Sequence, residues 1–221
     1  MNITHATTEK VKGDKLEAIF TRQKELMEKY HHIEANSGLL QTEDCPVNLD
    51  DKKGQARLKD FAWRITEELG EALDALYNEQ DQVHYIEELI DGLHFLTEMT
   101  ILAGKDWDTI CLDVEHQYED RLETLVDNSL LAFNSENGNV SFPGTTMNFI
   151  QNLGMMCNCL KNKPWKQTQM ETNQENFYLH LDRVWFSYCG ILVTSNLTAD
   201  DIVDIYLKKS QVNKFRQRSN Y

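Results

Sequence analysis

EELGEALDALYNEQDQVHYIEELIDGLHF, residues 67–95, is the stretch on which the reading of this chain turns. Two acidic pairs stand in it at helical spacing, Glu68 with Glu71 and Glu88 with Asp91, with a short polar break between them. Residues three apart on a helix are neighbours on its surface. Two antiparallel helices joined at that break could therefore aim four carboxylates at one point. Such crowding is tolerable around a bound cation, and oxygen-only ligands without His or Cys favour Mg²⁺, with Mn²⁺ as a substitute.

The competing expectation is a solvated acidic face, which most helical acids form. On the first helix Ile65, Leu69, Ala72, Leu73 and Leu76 make one apolar stripe, with Glu68 at its border. The second helix is harder to leave in water. Tyr85, Ile86, Leu89, Ile90, Leu93 and Leu96 make a broad apolar face, while Phe95, Met99 and Leu102 fall on the other side, beside Glu88 and Asp91. A helix apolar nearly all round is expected to be buried, where unpaired charge is expensive. No Lys or Arg occurs between Arg64 and Lys105. The neighbouring sequence supplies no ion-pair partner, and a metal is the economical answer.

Outward from this stretch the helical pattern continues. Three prolines and little β-branched alternation predict an all-α fold, with helices near 14–33, 57–78, 83–103, 107–127, 146–161, 175–194 and 199–217. Polar loops are expected at 36–54 and 134–144, with a break around Pro164. Thr198 ahead of Ala199-Asp200-Asp201 places a capping hydroxyl before two first-turn acids. The 221 residues suit one domain. No apolar run reaches the roughly 18 to 20 residues of a membrane span, and the start MNITHATTEKVKGDK has no secretory apolar stretch. A cytoplasmic location is expected, the host cytoplasm if the protein is viral, with no membrane partner. Five scattered cysteines suit reduced thiols, Cys157 and Cys159 included, and His31-His32 reads as a solvated helix end.

A net charge of −14 disfavours nucleic acid as a partner. The charge is uneven, however. After Asp204 no acid remains, while Lys208, Lys209, Lys214, Arg216 and Arg218 crowd the last stretch. Lys209, Asn213 and Arg216, at i, i+4 and i+7, share one helical face, with Tyr206 one turn earlier. Cations also favour helix C-termini for their own sake. Beside a magnesium site, this face reads as a clamp for a di- or triphosphate.

These motifs together resemble the all-α nucleotide pyrophosphatases, specifically the dimeric dUTPases and the related phage dCTPase/dUTPases. Glu68-Leu69-Gly70-Glu71 is similar to the family's ExxE, Glu88 to Phe95 to its E-x-x-D-x-x-H-F, and Tyr206 to Tyr221 to its Y-x-x-K-x-x-x-N-x-x-R-Q ending in Tyr. Gln23 matches a Gln in the family's first helix.

The resemblance implies a helical bundle with an additional, motif-free helical segment near 106–195, working as a homodimer. It implies that Glu68, Glu71, Glu88 and Asp91 bind magnesium, with Glu71 also activating water. It further implies that Lys209, Asn213, Arg216 and Tyr221 hold phosphates, and that Gln23 and His94 lie near the base. The products would be a nucleoside monophosphate and pyrophosphate. Met27 stands where dimeric dUTPases carry Asn, Tyr77-Asn78-Glu79-Gln80 replaces their Trp and Lys residues, and the ending RQRSNY looks more like the phage enzymes. dCTP therefore stands beside dUTP as an expected substrate. A broader house-cleaning pyrophosphatase and an acidic mimic of nucleic acid are the alternatives.

Overall fold

The computed structural model describes residues 10–38, 40–110, 119–135, 142–163 and 165–218, with side chains described except at 133–135 and 216–218. Among them are seven α-helices and no strand. α1 (Lys15–Ser37) starts at Asp14, whose carboxylate accepts from the Leu16 and Glu17 amides, and stops at Gly38 in the left-handed region. α2 (Lys52–Asp74) and α3 (Gln82–Leu102) are capped in the same way by Asp51 and Asp81. α4 (Arg121–Ser135), α5 (Phe142–Cys159), α6 (Gln174–Thr194) and α7 (Ala199–Arg218) complete the chain.

α3 is the centre. Every residue from 88 to 102 is buried except Asp91 and Phe95, which are half-buried. α2 folds back on α3 as a hairpin, α1 and α7 lie on its flank, and α6 covers another side, with α4 and α5 packed on α6. Two α6 side chains fasten the central helix: Tyr188 donates to the Leu89 carbonyl at 2.6 Å and the Trp185 indole donates to Thr100 Oγ1 at 2.9 Å. α1 contributes the stripe Leu16, Ile19, Phe20, Gln23 and Leu26, with Phe20 stacked on Trp185. The described part of segment 106–195 thus builds the same core rather than an appendage.

Two sequence expectations are corrected. No continuous helix covers 107–127: a single 3₁₀ turn, Trp107–Thr109, is capped by Asp106, and α4 begins only at Arg121. Residues 111–118 lie outside the described set. α1 also runs on to Ser37, so His31 and His32 sit within it rather than at its end. Thr198 caps α7 as expected, in a reciprocal box in which Asp201 N–H donates to its hydroxyl and the Asp201 carboxylate accepts from Thr198. Among the described residues no helix is long and apolar enough to cross a membrane.

Candidate active site

α2 ends in a single π-helical turn, Ala75–Glu79, and the chain reverses through Gln80 at φ 57° into the Asp81 cap of α3. This reversal brings the two acidic pairs face to face. Carboxylate oxygens of Glu68, Glu71 and Glu88 lie within 4.8 Å of one another. Close approach depends on Gly92, where a Cβ would stand 2.2 Å from the Tyr188 hydroxyl and 3.5 Å from Glu68 Cβ. Only hydrogen fits there.

The three acids differ in setting. Glu71 is exposed, Glu68 half-buried and Glu88 buried. Burial, a hydrogen bond with Glu88 and the charges of Asp91, Glu88 and Glu71 push the Glu68 carboxyl up to about 8. Without a cation the cluster therefore holds a proton at neutral pH. An oxygen-only set that cannot ionise fully by itself suits a divalent metal.

Asp91 stands apart from this triad. Its Oδ2 meets Lys209 Nζ at 2.8 Å, and the same ammonium lies 3.2 Å from Glu87 Oε2. Burial by itself would lower the Lys209 pKa, but Asp91 and Glu87 hold it above the usual lysine value. His84 Nε2 lies 3.0 Å from Glu88 Oε1, and its Nδ1 is 2.7 Å from Glu79. The expectation that the neighbouring sequence supplies no ion-pair partner is corrected at His84, and Lys209 adds a partner from outside that sequence. Lys209 comes from α7, far away in sequence, and His84 was passed over although it stands four residues before Glu88 on the same helix.

Beside the carboxylates, α1, α2, α3 and α7 enclose a cavity of about 280 Å³ that takes in Glu68 and Asp91 together with Gln23, His94, Glu98 and Asn213. Phe61 and Phe95 also line it, with the Arg64 guanidinium 5.1 and 5.7 Å from their ring centres. Among the described residues none from α4, α5 or α6 is part of its lining. His94 stacks on Tyr206 at 3.8 Å, donates from Nδ1 to the Ile90 carbonyl at 2.9 Å and meets Ser210 Oγ through Nε2 at 3.0 Å. Burial lowers its pKa, favouring the neutral ring. Tyr206 is fully buried and donates to Gln23 Oε1 at 2.7 Å, so it braces the cavity rather than sharing the Lys209 face. Gln23 Nε2 in turn donates to Glu98 Oε2 at 2.8 Å.

Of the residues singled out in the sequence, Glu68, Asp91, Gln23, His94 and Asn213 thus meet in one cavity, with Glu71, Glu88 and Lys209 adjoining through their carboxylate and ion-pair contacts. Arg216 lies in α7 with its side chain outside the described set, and Tyr221 lies outside the described residues altogether. Glu98 was missed. Its signal was present, an acid seven residues after Asp91 inside the apolar run of α3.

Residues 15–221 match a family described as dUTPase. The chain belongs to the dUTPase family. No curated protein and no solved structure gave a significant match. The family is the dimeric, all-α kind of dUTPase, in keeping with the seven-helix fold. Membership makes this chain a nucleotide pyrophosphatase by family, with a nucleotide as its substrate, and family members generally use a divalent metal. The acidic cluster has the donors for one.

Proposed function

We propose that this chain hydrolyses dUTP, with dCTP as a second substrate, to the nucleoside monophosphate and pyrophosphate in a Mg²⁺-dependent reaction. The observation that carries the reading is the convergence of Glu68, Glu71 and Glu88 within 4.8 Å beside the cavity that holds Gln23, His94 and Asn213. Those three acids, joined by Asp91, would hold the metal. Mn²⁺ has similar ligand preferences. When bound, the ion supplies charge neutralisation for the phosphates and a more acidic attacking water.

Glu71, the exposed acid, takes the proton of a water that attacks the α-phosphorus. The bond from that phosphorus to the bridging oxygen breaks, and the β- and γ-phosphates leave together as pyrophosphate. Lys209 and Asn213, with Arg216 and Tyr221, grip the phosphate oxygens. The Lys209 ammonium is already 2.8 Å from Asp91, so a short swing carries it from carboxylate to phosphate. Gln23 and His94 lie at the base, where a neutral imidazole suits an uncharged ring. The Met27 and 77–80 departures support dCTP beside dUTP. Inward-facing Glu68 and Glu88 support a hydrolase over an acidic mimic, which needs its charges spread outward.

A nucleotide panel scored by pyrophosphate release tests this directly. With Mg²⁺, dUTP and dCTP should turn over well ahead of the purine nucleotides. Release of orthophosphate, or no metal-dependent turnover of either pyrimidine nucleotide, would overturn the reading, and equal turnover of many nucleotides would favour a house-cleaning pyrophosphatase.

A further inference from the structure

Glu98 is an expensive residue where it stands. Its side chain is buried toward the C-terminal end of α3, one turn beyond His94, where leucine would pack without a desolvation penalty. It is too far along the helix to belong to the carboxylate cluster, and among the described residues no cation forms an ion pair with it: Arg57 binds Glu34 and the Thr42 carbonyl instead. Its one strong contact is neutral, the 2.8 Å hydrogen bond from Gln23. That amide is itself fixed, because Tyr206 donates to its oxygen at 2.7 Å and so turns its nitrogen toward Glu98. Gln23 and Glu98 both line the same cavity, the amide offering a donor and the carboxylate an acceptor. A donor and an acceptor side by side complement N3 and the 4-amino group on the Watson–Crick edge of cytosine, and uracil in the same pose turns O4 toward the acceptor.

We propose that Glu98, oriented by Gln23, reads the 4-position of the pyrimidine and sets the balance between cytosine and uracil nucleotides. This rests on the nucleotide pyrophosphatase reading and on the base entering this cavity. As a carboxylate, Glu98 accepts from the 4-amino group of cytosine and repels O4 of uracil. As a carboxylic acid it donates to O4. Burial, then the charge of Glu34, raises its pKa to about 7, against the Gln23 hydrogen bond, Arg57 and Arg64. The groups facing it are Glu34 from α1, Arg57 and Arg64 from α2, Cys45 from the loop before α2 and Tyr206 from α7. The choice between bases should accordingly depend on pH.

The test compares kcat/KM for dUTP and dCTP, by pyrophosphate release, in the wild type and in E98Q. The ratio isolates the base edge, since both substrates share the same metal and phosphate chemistry. In E98Q the amide nitrogen replaces the acceptor with a donor, and the dUTP to dCTP ratio should rise at least about tenfold. In the wild type the same ratio should rise severalfold as pH falls from about 8 to about 6, and in E98Q it should stay flat. A wild type that is active on both nucleotides but has a ratio independent of pH overturns the inference while leaving the pyrophosphatase reading intact. That arm needs no variant, so it decides even if E98Q fails to fold. A wild type that hydrolyses neither nucleotide overturns the reading and the inference with it.

Discussion

Glu68 and Glu71 sit three residues apart on one helix, yet their surroundings give them different chemistry. Glu71 faces water and is the proposed proton acceptor. E71Q keeps its shape and removes its basicity, so turnover should drop by about 10² to 10⁴ while the circular dichroism spectrum stays unchanged; retention of full turnover would remove Glu71 from the mechanism. Glu68 is the pH-sensitive member. Its folded pKa of about 8 lies above the ordinary 4.5, so between these values the folded chain keeps a proton that the unfolded chain has lost. Metal-free stability must fall as pH rises through that window, with the penalty complete above about 8. Thermal melts from about pH 5 to about pH 9 should show this decline in the wild type and a shallower one in E68Q, with Glu98 accounting for the remainder up to about 7. Added Mg²⁺ should reverse the decline in the wild type and do little for E68Q.

The α2–α3 hairpin is the element on which the site depends. Its reversal needs Gln80 in the left-handed region and the Asp81 cap, and its closeness needs Gly92. A methyl group at Gly92 would collide with the Tyr188 hydroxyl, which holds the Leu89 carbonyl. Gly92→Ala should cost about 1 to 3 kcal/mol in a denaturant titration and weaken Mg²⁺ binding at the same time, because the same contact positions Glu68. Removing the Asp81 cap with alanine should cost about 1 kcal/mol without touching the metal. If both variants lost stability and metal binding in equal proportion, Gly92 would be a packing residue only. Both helices were legible beforehand because their apolar period is unambiguous and their caps are local. The region 107–127 was not. Its residues satisfy a helical period, but the Asp106 cap closes into one tight turn, and a fresh helix begins only at Arg121.

Across the whole molecule, a chain with a net charge of −14 would, on the proposed reading, meet a polyanionic substrate where the α2 and α3 carboxylates lie beside Lys209 of α7. If the chain is one domain working as the proposed homodimer, light scattering should give twice the 25.8 kDa chain mass, and a monomer at working concentration would count against it. Outside 107–127 the helices, and with them the acidic pairs and the family, were legible along the chain, because helical period, capping and motif spacing are properties of neighbours. Which charges meet was settled by packing. Lys209 reaches Asp91 and Glu87 across 118 residues or more, and Tyr206 reaches Gln23 across 183. Tyr188 from α6 leaves room for nothing larger than glycine at 92. No local pattern encodes such pairs, since they arise when helices distant in sequence bury their faces against α3, and burial in turn decides which carboxyl holds a proton.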